Sequence, residues 1–155
     1  MKEWNRAVND AALSGGLASA LSTVVLAWRG GVDLQAPAAT LNAPSHWFWR
    51  QALAKNQSSL KYTFVGMVVH HLASVFWACL YERISPPEWQ GPQTALRNAA
   101  TVAGVAALVD FRAVPERLTP GFERRITSTS LLTVYVAFAG GLALASLLRA
   151  RKARR

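Results

Sequence analysis

The sequence predicts an all-α integral membrane protein, a four-helix bundle with a short interfacial helix in its first connector. Three observations predict it. Charged residues make up only 16% of the 155 residues while hydrophobic ones make up 52%, against about 25% charged in soluble domains. Long uncharged runs recur along the chain, two of them long enough to cross a roughly 30 Å hydrocarbon core at about 1.5 Å per helical residue. The 17 Lys and Arg, which outweigh 8 Asp and Glu, sit between those runs or in the tail. A single cysteine excludes a disulfide scaffold and a Cys-based zinc module. Charges scattered over connectors also argue against nucleic-acid binding, which needs a basic face on a folded module.

Four spans follow in order, at about 8–28, 59–82, 95–113 and 120–148, within one transmembrane domain of residues 1–148. Ala11 to Trp28 gives the first uncharged run, bounded by Asp10 and Arg29. Its basic flank, Lys2 and Arg6, resembles a signal peptide, but the apolar stretch is long and no small-residue cleavage motif is well placed. An uncleaved anchor is the expectation. Tyr62 to Tyr81 is the second run, with a tyrosine at each end. The third is short: Asn98 to Val109 reaches spanning length only if the helix starts near Thr94 and continues past Asp110, with Arg97 and Arg112 at its ends. A re-entrant segment is the alternative. Ile126 to Leu148 is the longest run. Thr119 as cap and Pro120 at the first helical position place its helix start at 120. Trp4, Trp28, Trp47, Trp49 and Trp89 fall at span ends or in connectors, where indole favours the headgroup level.

Charge bias barely orients the chain. The side holding both termini carries nine Lys and Arg and the other side eight. The dense basic tail 149–155 follows the last span directly, which favours both termini in the cytoplasm.

The first connector contains Asn42 and Pro44 as a helix start, then Trp47, Phe48 and Trp49 mixed with Arg50 and Lys55. That composition suits a short helix in the interface plane. Residues His46, Trp47, Trp49 and Arg50 form a candidate lid; a plain interfacial anchor is the alternative. Glu116 to Arg125 is the other dense charged stretch, either a solvated connector with local ion pairs or a headgroup or partner contact. Val32-Asp33-Leu-Gln-Ala36 aligns with Val109-Asp110-Phe-Arg-Ala113, the mark of either a two-helix repeat or chance.

The residues out of place in a membrane are the candidates for chemistry. His70 and His71 fall near mid-span, where an unpaired polar group is costly. Helical spacing puts His70, Ser74, Trp77 and Tyr81 on one stripe and His71, Ser74, Ala78 and Glu82 on an adjoining one. The candidate intramembrane site is therefore His70, His71, Ser74 and Glu82 with Asp110 from the third span. Glu82 and Asp110 lie toward opposite faces. The stripe is either glue, hydrogen-bonding to hydroxyls such as those of Ser14, Ser19, Ser22, Thr23, Thr101 and Thr133, or a working site. No catalytic residues, metal ligands or cofactor are predicted. Small-residue rows (Gly15/Ser19, Gly16/Ala20, Ala100/Gly104, Ala103/Ala107, Ala137/Gly141/Ala145) would let helices approach closely, and one could serve self-association.

The stretches Leu41-Asn-Ala-Pro-Ser-His-Trp47, His70-His-Leu-Ala-Ser-Val-Phe-Trp-Ala78 with Tyr81-Glu82, and Val109-Asp-Phe with Arg117-Leu-Thr-Pro-Gly-Phe-Glu123 resemble those of small uncharacterised four-span inner-membrane proteins of proteobacteria. In size and span count the chain is also similar to proteins of the YagU type. The resemblance implies a multi-pass bundle in the bacterial inner membrane and carries over no activity and no site residue. The expected role is a non-enzymatic accessory factor acting through helix or lipid contacts. The alternatives are a small transporter or proton-conducting bundle using His70, His71 and Asp110, and a membrane enzyme acting on a lipid or quinone. The expected partners are the bilayer and either a second copy or another membrane protein, with no nucleic acid.

Overall fold

A computed structural model describes residues 1–86 and 91–153. Trp89 and the last two tail residues, Arg154 and Arg155, lie outside the described residues. The described chain is all-helical: α1 (Trp4–Leu34), α2 (Pro37–Asn42), α3 (Val65–Ile84), α4 (Pro92–Leu108) and α5 (Ser128–Ala153), with short 3-10 or π turns between them. Three helices are long and apolar enough to cross a membrane: Trp4–Leu34, Leu60–Ile84 and Ser128–Ala153. The last is the most apolar, with a mean hydropathy of 2.1 over its best window.

The long helices run antiparallel in sequence order, so one end of the bundle holds both described termini and the other holds the two long connectors. Around the bundle the order is α3, α1, α5, α4. The α3–α4 side makes the sparsest contact of the four, and this is where a cleft forms.

Packing is inverted relative to a soluble bundle. The inner face of α1 is Ala7, Ala11, Ser14, Gly15, Ala18, Ser19, Ser22, Leu26 and Gly30, spaced three or four apart. Its large apolar side chains, Leu13, Leu21, Val24, Trp28 and Val32, point outward and are exposed. Small groups inside let backbones touch, and large ones outside suit a lipid solvent. A Cβ on Gly15 would lie 2.7 Å from Val75 Cα, and one on Gly141 would lie 2.4 Å from Ala18 Cα. These two glycines mark where α1 meets α3 and α5. Gly16 and Gly104 have open space where a Cβ would stand, and Ala20 and Ala100 are exposed. Those two predicted rows face outward instead of joining helices of this chain.

The first helix runs Trp4–Leu34 where 8–28 was expected, and three further features differ from the sequence expectation. The last helix starts at Ser128, not at 120. Gly121 takes a left-handed φ of 84° and Phe122 is buried against the core, so the chain turns there before the helix can begin. Thr119 donates to Glu123 Oε1 at 2.7 Å inside that turn. Thr127 does the capping, accepting from the Ser130 N–H at 3.3 Å. The basic tail is not a free appendage at its start, since α5 runs to Ala153. The first connector is not one interfacial helix. Residues 43–47 and 50–54 form separate 3-10 turns, and Asn42 to His46 are buried. Asn42 explains the tuck. Its side chain donates to the Lys55 and Gln57 carbonyls at 2.9 and 3.0 Å and accepts from Thr63 at 2.6 Å. A buried amide satisfied in this way pins the loop to the start of α3.

Asp33 and Asp110 both lie at the connector end but have different partners. Asp33 pairs with Arg29 at 3.0 Å and accepts from the Thr127 N–H at 3.0 Å, so it closes the α1–α5 corner. We expect Asp33→Asn to lower the melting temperature in detergent through loss of that corner, with helix content retained. Unchanged melting would show the corner to be dispensable.

Candidate functional site

The open side of the bundle holds a cleft of about 570 Å³ between α3 and α4, floored by α1 and α5 and roofed by the connectors. Its volume is within the range of ligand pockets, roughly 300–1,000 Å³. The walls are overwhelmingly apolar. Residues of α3 from Val69 to Trp77, His71 and Val75 excepted, form one side, and Ala106 of α4 with Val109 and Val114 just beyond it the other. Trp47 and Phe48 from the first connector and Leu118, Pro120 and Phe122 from the second complete the roof. Several wall residues are also exposed on the outer surface: Leu72 at 62%, Phe76 at 59% and Phe48 at 59%. The cleft therefore reaches the side of the bundle among apolar groups.

Two hydrogen-bonded pairs of polar side chains interrupt the lining. Ser22 Oγ lies 2.8 Å from His70 Nε2. The Ser22 hydroxyl also lies 2.7 Å from the Ala18 carbonyl, which ties the pair to α1. Among the described residues His70 Nδ1 has no protein hydrogen bond, on a ring that lines the cleft. In the second pair, Tyr135 donates to Asp110 Oδ2 at 2.7 Å. The Tyr135 ring meets Phe111 edge-on at 5.7 Å, and the His70 ring meets Phe122 at 6.3 Å. The cleft thus offers a few fixed polar groups on an apolar wall, the pattern by which small-molecule sites orient a ligand.

The sequence-selected residues divide three ways. His70, Ser74 and Asp110 line this cleft together. Ser74 donates to the His70 carbonyl at 2.8 Å, so its hydroxyl is spent on its own helix. His71 is exposed and does not line the cleft. A 100° step between consecutive helical residues separates the two histidines. Glu82 is fully buried at the other end of the bundle, in an ion cluster with Lys2 and Arg149. Of the lid residues, Trp47 roofs the cleft and its indole donates to the Thr119 carbonyl at 2.9 Å. His46 and Arg50 line a second, smaller pocket. Trp49 packs edge-on against Tyr62 at 6.0 Å, under the Lys61 ammonium at 4.7 Å.

Tyr135 was not singled out in the sequence. Its signal is a phenol inside the otherwise uncharged 126–148 run, the same criterion that selects His70. Among the described residues no group of three His, Cys, Asp or Glu side chains is placed to share a metal ion. No family model, curated protein or solved structure matches the chain significantly.

The two histidines give a direct contrast. His70→Ala removes the Ser22 partner and widens the cleft, while His71→Ala removes an exposed side chain. We expect the first to cost about 1 kcal/mol of stability, the scale of interhelical hydrogen bonds in membranes, and the second to leave melting unchanged. Equal effects would contradict the assigned geometry.

Proposed function

We propose that this chain is a four-span protein of the bacterial inner membrane, both termini cytoplasmic, that binds an amphipathic molecule from the bilayer without transforming it. The observation that carries the proposal is the α3–α4 cleft, which is apolar, open toward the flank of the bundle and punctuated by His70 and the Asp110–Tyr135 pair. A chain or ring system entering sideways from lipid would replace lipid contacts with wall contacts. The polar pairs would fix its register along the wall. Each pair is already hydrogen-bonded within the protein, which favours holding a ligand over attacking one. α4 with its following π turn, 92–113, would form the fourth span, its Arg97 and Arg112 reaching the two interfaces.

Ala106 is 1% exposed and lines the cleft, so Ala106→Phe fills it from the α4 side. Purification in mild detergent followed by extraction and mass analysis should find an amphiphile retained by the natural chain and lost from Ala106→Phe, with helix content unchanged by circular dichroism. Retention of the same molecule at the same stoichiometry by the filled variant would exclude the cleft as its site.

A further inference from the structure

We infer that the amphiphile carries a phosphate group, held in a basic pocket beside the cleft while its apolar chain lies in the cleft itself. This deepens the cleft-binding proposal and rests on it. The pocket, about 130 Å³, is lined by His46, Arg50, Leu53, Glu116, Arg117 and Arg124. It draws three guanidinium groups from two connectors that are distant in sequence. Arg124 is neutralised by Glu116 at 2.6 Å and lies 3.7 Å from Glu123. Among the described residues, neither Arg50 nor Arg117 has a carboxylate within 4.0 Å. Against the one carboxylate in this concavity, Glu116, which is paired with Arg124, two further cations face it, and that surplus suits an anion, the planar guanidinium fork matching phosphate oxygens.

The pocket and the cleft share a wall. His46 faces the pocket and its neighbour Trp47 the cleft; Arg117 faces the pocket and its neighbour Leu118 the cleft. The wall is rigid. Arg117 Nε donates to the Trp47 carbonyl at 3.3 Å, and the Trp47 indole donates to the Thr119 carbonyl at 2.9 Å. The buried His46 ring is fixed with Nδ1 2.8 Å from the Ala43 carbonyl. Gly121 makes the close approach feasible, because a Cβ there would stand 2.7 Å from His46 Nδ1. The order from the connector end inward is therefore charge, aromatic wall, apolar cleft. That is the order of groups in a phosphorylated lipid whose head stays at the interface. The small pocket suits a compact phosphate group better than a large sugar-bearing head.

The test uses the full chain in nanodiscs of neutral phosphatidylcholine. Three probes are titrated by tryptophan fluorescence: a lysophosphatidic acid, the monoacylglycerol with the same chain, and glycerol phosphate without a chain. Lysophosphatidic acid should bind at least tenfold more tightly than monoacylglycerol, and glycerol phosphate weakest of the three. Arg50→Gln with Arg117→Gln, both at exposed positions, should abolish that tenfold advantage while monoacylglycerol still binds. Retained monoacylglycerol binding also shows that the double variant is folded. Equal binding of the two lipids by the natural chain would overturn the phosphate assignment and leave the cleft standing, as would an unaffected double variant. Glycerol phosphate binding as tightly as the lipid would make the pocket a free-phosphate site and overturn the bipartite assignment. Failure of both lipids to bind would overturn the cleft proposal itself, and this inference with it.

Discussion

Replacing Glu82 with alanine is expected to lower the stability of the bundle by about 3–5 kcal/mol, the scale of breaking a buried ion pair. Glu82 is fully buried at the end of α3. Its carboxylate pairs with Lys2 on one oxygen and with Arg149, at 2.5 Å, on the other. Lys2 is itself buried and also reaches Asp10 at 2.8 Å. Arg149 extends to the Asp10 carbonyl at 3.4 Å. The cluster joins the start of α1, the end of α3 and the end of α5 through one carboxylate. Its removal leaves two cations facing each other with only Asp10 between them. Glu82→Gln should fall between alanine and the natural residue, because an amide keeps some hydrogen bonding but no charge. Thermal melting in detergent, followed by circular dichroism, reads the effect. A double-mutant cycle with Lys2→Met should give a coupling energy well above 0.5 kcal/mol. Melting of Glu82→Ala at the natural temperature would show that the cluster contributes nothing.

The second large effect belongs to a pair of adjacent glycines. Gly141→Ala should destabilise by about 1–3 kcal/mol, the range for overpacking a filled interior, while Gly140→Ala should be neutral or mildly stabilising. A Cβ at Gly141 would lie 2.4 Å from Ala18 Cα and 2.6 Å from Ala18 N, backbone atoms that cannot swing aside. A Cβ at Gly140 meets nothing within 4 Å. Both residues sit in the interior of α5, so helix propensity is the same for each and the difference isolates packing. Comparable melting temperatures for the two variants would contradict the α1–α5 contact.

These expectations divide along the line of what the sequence discloses. Helices long enough to cross a membrane were legible because charge is excluded from whole runs, a feature that needs no tertiary knowledge. The start of α5 was not, because Thr119 and Pro120 obey the local rules for a helix start. A tertiary event overrides them: Phe122 is drawn into the core and Gly121 turns left-handed. The buried state of Glu82 was equally hidden, since a carboxylate near a span end looks like an interfacial group until Lys2 and Arg149 are brought to it from the two ends of the chain. At the cleft, spacing selected His70, but only packing could separate it from His71. The basic pocket was half legible. Arg50 was chosen with the lid and the 116–125 stretch was noted for its charge, but nothing in their separation of some 70 positions shows that they meet.

The central place of α1 bears on how the protein is made. Helix α1 has its main neighbours in α3 and α5, and α5 is synthesised after the other described helices. Until then, the flank of α1 that meets α5, carrying Ala18, has no partner from its own chain. Any quality-control protease that recognises unmatched small-residue helix faces would have its window in that interval. Truncation before Ser128 should therefore yield a short-lived product even though its remaining apolar helices are intact.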